Sequence, residues 1–169
     1  MWPVLTRRCV RPAWNQYGGG FMAIAIGSDH AGFEQKEALV DYLLELGYDV
    51  NNCGPESDNR VDYPDYAETV AKQVSDGNAT LGVLVCGTGI GMAIAANKIA
   101  GIRAANVITP EFAHLAREHN DANILTLSGR FVSLEENKAI LDEFLNTPFG
   151  GGRHQDRLNK ISKLEGKAE

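Results

Sequence analysis

Two short segments combine residue types that plain connectors do not need. Cys86-Gly87-Thr88-Gly89-Ile90-Gly91 sets a thiol among glycines, where backbone N–H groups approach a ligand closely. Gly27-Ser28-Asp29-His30-Ala31-Gly32 sets a carboxylate beside an imidazole. The first segment is not a nucleotide loop, because its third glycine comes too early for G-x-G-x-x-G and no Gly-Lys-Ser/Thr follows. A cysteine phosphatase, with its Cys-x5-Arg spacing, would carry arginine at position 92, and that position is Met92. What remains is a cysteine beside several N–H donors at a helix start, a setting that lowers a thiol's pKa. A base next to an oxyanion hole is what proton abstraction alpha to a carbonyl requires. The competing reading of Cys86 is a small buried hydrophobe, and that of Asp29-His30 is a turn with an Asx cap. Cys53 reads as structural and His114 as a solvated helix residue. Arg153 and Arg157, four apart on one helical face, either clamp a phosphate or form a solvated basic tail.

From Met22 onward, strand-like runs alternate with helical patterns. AIAIG (23–27) precedes a helix with Leu39, Leu43 and Leu46, ended by Gly47. YDVNNC (48–53) reads as a second strand, and Pro64 opens a helix with Tyr66, Val70 and Val74 on one stripe. LGVLV (81–85) is a continuous apolar run suited to a strand buried on both faces. IRAANVI (102–108) leads into Thr109-Pro110, an N-cap and N1 proline, and NILTL (123–127) into the capping box Ser133-x-x-Glu136. Five such units predict an α/β fold, a doubly wound five-stranded parallel sheet with helices on both faces. In the common order 2-1-3-4-5, the ligand crevice lies beyond the carboxyl ends of strands one and three, where both segments converge. In the tail, Leu158, Ile161 and Leu164 form a narrow stripe on a helix too short to stand alone, which is expected to dock on a partner subunit.

Composition narrows the classes. The chain has 169 residues, 44% hydrophobic and 22% charged, which suits one globular domain. No apolar run approaches the ~18 residues of a membrane helix. Net charge is −6, a poor match to nucleic acid. Three cysteines without paired spacing point to a reducing, cytoplasmic setting. The basic, acid-free leader 1–21 lacks a secretory apolar region and is expected to be an extension, with Met22 the natural start and 22–169 the domain. No cluster has metal-ligand spacing, so no metal and no cofactor are expected.

GSDHAG, DYPDYA, LVCGTGIGMAIAANK, GIRAA, EHNDANIL and GGRHQDR together resemble the type B ribose-5-phosphate isomerase family, which includes galactose-6-phosphate and allose-6-phosphate isomerases. The resemblance spans about residues 22–160. It implies a Rossmann-like fold, dimers or tetramers, no metal, and aldose–ketose interconversion through a cis-enediol. On this pattern Cys86 resembles the base that moves a proton between C2 and C1; relatives without the cysteine use a glutamate just beyond, and Ala93–Ala96 offers none. Thr88 resembles the hydroxyl assisting at the enediol oxygens, with Gly87, Gly89 and Gly91 in the oxyanion loop. His119, aided by Asp29, resembles the group that opens the sugar ring. His30, Arg130, Arg153 and Arg157 resemble phosphate ligands, and Tyr63 and Asn120 line the sugar site.

In a parallel sheet, Cys86 leaves a strand's carboxyl end, whereas His119 closes a helix at the amino ends. A five-residue strand spans about 17 Å. Both residues can serve one site only if His119 comes from a second subunit, so a homodimer or homotetramer with composite sites is expected. Ribose 5-phosphate is the expected substrate, because a single chain carries the full residue set. The alternatives are a six-carbon sugar phosphate and a non-catalytic sugar-phosphate-binding regulator; relative turnover on the three sugars separates the first, and binding without turnover marks the second. Deleting residues 1–21 is expected to leave activity and melting temperature unchanged. A Tm lower by several degrees would show that the leader packs on the domain.

Overall fold

Residues 22–166 are described by the structure, a computed structural model; the expectations for the leader 1–21 lie outside the described residues. Strand and helix alternate as β1 (Ala23–Ser28), α1 (Phe33–Glu45), β2 (Asp49–Asn52), α2 (Tyr63–Ser75), β3 (Leu81–Cys86), α3 (Ile90–Ala96), β4 (Ala104–Asn106), α4 (Pro110–Asn120), β5 (Ile124–Ser128) and α5 (Leu134–Asn146), before a final helix α6 (Arg153–Leu164). All strands pair in parallel, in the order β2-β1-β3-β5-β4. The Rossmann-like α/β sheet is as expected, but its last two strands are exchanged relative to 2-1-3-4-5. Burial explains the exchange. β5 (ILTLS) is buried at every position and belongs inside the sheet, whereas β4 has three partly or fully exposed residues and suits an edge. The order still reverses between β1 and β3, so the expected crevice survives the correction.

The pleat sends alternate residues to opposite faces. Ile24, Ile26, Val83, Val85, Leu125 and Leu127 meet Leu39 and Leu43 of α1, Ala113 of α4, and Ile140 and Phe144 of α5. Ala25, Leu84, Cys86 and Ile124 face the other way, toward Val70 of α2 and Met92 of α3. Both expected N-caps form: the Thr109 hydroxyl accepts from the Phe112 N–H, and that of Ser133 from the Glu136 N–H. In α6 only Leu158 of the apolar stripe is buried, while Ile161 and Leu164 stay exposed. Glu165 anchors the helix end by accepting the Gly101 N–H at 3.0 Å.

The crevice depends on one close approach. A Cβ on Gly32 would stand 2.3 Å from the Val85 carbonyl oxygen, a backbone atom with nowhere to move. Gly32→Ala should therefore cost about 3 kcal/mol, a Tm drop of about 10 °C. A loss below about 1 kcal/mol by urea denaturation would show that the turn relaxes freely.

Candidate active site

Cys86 ends β3, 5% exposed, with its Sγ accepting the Gly89 N–H at 3.1 Å. Gly89 has φ +80°, and a Cβ there would meet Asn106 Oδ1 at 2.4 Å, so only glycine lets the loop turn back onto the sulfur. Thr88 is exposed, and its hydroxyl accepts the Ile90 N–H at 3.2 Å. Gly91 has a packing reason as well: its missing Cβ admits the Tyr63 ring, which would otherwise lie 2.9 Å away. Arg130 lies over Gly87, its Cδ and Nη1 each 3.5 Å from where a Cβ would be. In the neighbouring turn, Asp29 is buried and its Oδ1 accepts from the Ala31 and Gly32 N–H groups at 2.9 and 3.1 Å. The Asx cap named as the bland reading does form, and it fixes Asp29 at the crevice. His30 Nδ1 sits 3.2 Å from the Val61 carbonyl.

The remaining candidates gather elsewhere. His119 and Asn120 end α4, whose turn is set by Asp121 in the left-handed region at φ 43°. Two arginines hold that turn: Arg117 Nη1 donates to Asp121 Oδ1 at 2.9 Å, and Arg103 Nη2 to Oδ2 at 3.0 Å. The His119 ring stacks on His154 of α6, centroids 4.5 Å apart, which brings the exposed Arg153 and Arg157 to the same region.

Strand register separates the two groups. Cys86 pairs with Ser128 at the carboxyl edge, whereas Gly82 pairs with Ile124, four residues after Asn120, at the amino edge. The structure thus brings together Cys86, Thr88, Gly87, Gly89, Gly91, Asp29, His30, Tyr63 and Arg130. It places His119, Asn120, Arg153 and Arg157 at the far end of β5, a strand length of about 17 Å from them.

Similarity to known proteins follows the same span. A family model described as Ribose/Galactose Isomerase matches residues 24–161. The chain is 47% identical over 142 residues to ribose-5-phosphate isomerase B of Escherichia coli K12, covering 84% of this chain and 95% of that protein. This chain belongs to the ribose/galactose isomerase family. Among solved structures, ribose-5-phosphate isomerase B of Clostridium thermocellum superposes with a TM-score of 0.85 at 46% identity, covering 86% of this chain and 99% of that one. The Mycoplasma genitalium enzyme, solved with bound ribulose-5-phosphate, gives 0.83 at 44% identity, with 87% and 98% covered.

Within this family member, several residues at or beside the two groups escaped sequence reasoning. The Ser128 hydroxyl donates to the Gly87 carbonyl at 2.8 Å and holds the cysteine loop to β5. Lys36 is fully buried; its Nζ donates to the Pro55 carbonyl at 2.9 Å and pairs with Glu37, tying α1 to the loop that carries Val61. Its position three before Leu39 and seven before Leu43, on the buried face, was the available signal. His114 corrects an expectation: it is not simply solvated. Its Nδ1 lies 2.8 Å from Glu143 and its Nε2 3.3 Å from Glu118, because α5 packs its acidic residue against this face of α4. Burial pushes the Cys53 thiol up, in keeping with a structural role.

The histidines flanking His119 are tuned in opposite directions. The Glu143 carboxylate, helped by Glu118, holds His114 above the ordinary histidine range. Partial burial, then the positive neighbours His119, Arg153 and Arg157, hold His154 below it. In an NMR pH titration His154 should lose its proton before His114 as pH rises, and Glu143→Gln should bring His114 down. The stabilisation from the His114 pair is complete below the unfolded pKa of about 6.5 and lost as pH rises through the raised value. The reverse titration order would contradict this electrostatic arrangement.

Proposed function

We propose that this chain interconverts ribose 5-phosphate and ribulose 5-phosphate. The observation that carries the reading is the thiol of Cys86 at the β1/β3 switch point, with the Gly89 N–H on its sulfur and Asp29, His30, Tyr63 and Arg130 around it. The relatives named for this reaction, one with ribulose-5-phosphate bound, support the substrate.

Ribose 5-phosphate is mostly a closed ring, so the reaction needs two acid–base devices. Ring opening takes the anomeric O1–H proton, breaks the C1–O4 bond with its electron pair going to O4, and returns a proton to O4. His119 is assigned that work, with Asp29 assisting. Cys86 as thiolate then removes the C2 proton, alpha to the new C1 aldehyde, and delivers it to C1. The negative charge that develops on the enediol oxygens meets the N–H groups of the Gly87–Gly91 loop, with the Thr88 hydroxyl assisting proton movement between O1 and O2. His30, Arg130, Arg153 and Arg157 hold the phosphate, while Tyr63 and Asn120 line the sugar. A positioned general base contributes about 10²–10⁴-fold; orientation and the oxyanion donors supply the rest.

Because the two groups lie at opposite sheet edges, the site is composite: His119, Asn120, Arg153 and Arg157 come from a partner subunit. Ile90, Ile94, Ile108 and Phe112 are more than half exposed on α3 and around the start of α4, the kind of surface an assembly covers. A cytoplasmic setting suits a free catalytic thiol, and among the described residues no helix is long and apolar enough to cross a membrane.

Cys86→Ser should abolish turnover of ribose 5-phosphate while leaving its binding within a few-fold, since a hydroxyl is far too weak an acid to serve as base. Retention of more than about a tenth of the wild-type kcat would assign the base elsewhere. Relative turnover on ribose, allose and galactose phosphates tests the sugar. For the composite site, Cys86→Ala chains mixed with His119→Ala chains should regain about a quarter of wild-type activity: about half the dimers are mixed, and each holds one intact site. No recovery despite proven subunit exchange would place both residues in one subunit's site.

A further inference from the structure

A carboxylate stands between two imidazoles at the end of α4. Glu118 Oε2 lies 3.3 Å from His119 Nε2 and 3.3 Å from His114 Nε2. The arrangement is braced from three elements. On α5, Glu143 Oε1 takes the other nitrogen of His114 at 2.8 Å, and the Thr147 hydroxyl donates to the Glu143 carbonyl at 2.8 Å. Before α6, the Gly150 N–H donates to the Glu118 carbonyl at 2.9 Å. A Cβ on Gly150 would sit 3.3 Å from Glu118 Cγ and 3.8 Å from His154 Cδ2, so glycine lets that segment close over the corner. On α6, His154 covers one face of the His119 ring at an interplanar angle of 13°.

A carboxylate accepts hydrogen bonds and gives none, so the imidazole nitrogen that faces it is the one that carries hydrogen. We propose that Glu118 is the positioning residue of His119, keeping a proton on Nε2 and leaving Nδ1 as the nitrogen that opens the sugar ring. His114, held from behind by Glu143, keeps the Glu118 carboxylate in place, and His154 fixes the plane of the ring. Arg153 and Arg157 add positive charge on the α6 side, which Glu118 offsets. The Glu118–His119 contact of 3.3 Å is an ion-pair approach that lacks hydrogen-bond alignment here, as acid–base groups do before substrate tightens them. This proposal rests on the ring-opening role of His119 given above.

The test exploits a difference between the two substrates. Ribulose 5-phosphate carries its phosphate on the hydroxyl that would close a five-membered ring, so it is an open chain. Exchange of its C1 hydrogen with solvent requires Cys86 and the oxyanion donors but no ring opening. In the whole enzyme, Glu118→Gln and Glu118→Ala should each lower turnover of ribose 5-phosphate about tenfold or more, part of what a positioned acid–base contributes. Deuterium uptake at C1 of ribulose 5-phosphate should stay within about twofold of wild type, and His119→Ala should show the same split. Unchanged turnover of ribose 5-phosphate, or an equal fall in both rates, overturns the positioning role. If His119→Ala splits the rates and Glu118→Gln does not, only the role of Glu118 falls. If His119→Ala shows no split, the ring-opening assignment falls and Glu118 with it.

Discussion

A parallel sheet has a direction, and that direction governs where every chemical group in this protein can go. Each strand delivers its last residue to one edge, and each following helix carries the chain back to the other. Cys86, the Asp29-His30 turn and Arg130 follow strands and share the carboxyl edge, while His119 and Asn120 end a helix and lie at the amino edge. No local adjustment changes this, because moving His119 across would mean breaking the β3–β5 ladder from Gly82–Ile124 to Cys86–Ser128. The assignment of one reaction to both groups therefore turns a topological fact into a requirement for a second subunit.

Within the carboxyl edge, precision comes from missing side chains. Gly27 lets Val70 of α2 approach the sheet to about the limit of contact, Gly32 lets the first turn press on the Val85 backbone, and Gly91 admits the Tyr63 ring. Each close approach removes slack around the sulfur. The Ser128 hydroxyl and the Arg130 N–H both bond the Gly87 carbonyl, so the loop is tied to β5 as well as to its own strand. A thiol and N–H donors held this way need little reorganisation when charge develops beside them.

Much of this was legible in the chain. Continuous apolar runs bounded by caps and turn residues marked the strands, and the Thr109 and Ser133 signatures marked helix starts that formed as read. The order of β4 and β5 was not legible from their sequence order, because chain succession does not decide which strand is interior; burial does, complete along ILTLS and partial along AAN. The cysteine and glycine loop announced itself because glycines at that density have few other uses. Glu118, His114 and Glu143 did not, since an acidic residue on a helix usually reads as solvated surface. Their meaning arises only when α5 brings Glu143 to His114, a contact of 29 residues' separation that no local pattern encodes.

The two ends of the sheet also differ in electrostatic character, and the chemistry assigned to them explains why. Proton abstraction from carbon asks for a desolvated base among neutral N–H dipoles, and Cys86 sits in such a place, buried in the apolar layer with Met92 and Leu84. Ring opening moves protons between oxygens and needs a group that both takes and gives a proton near neutral pH, which calls for charges of both signs around an imidazole. Glu118 on one side of His119, and Arg153 and Arg157 beyond His154 on the other, supply them. On the reading proposed above, the two groups stand a strand length apart in one chain, and the sugar can meet both only where a second subunit brings its α4 end to the Cys86 edge.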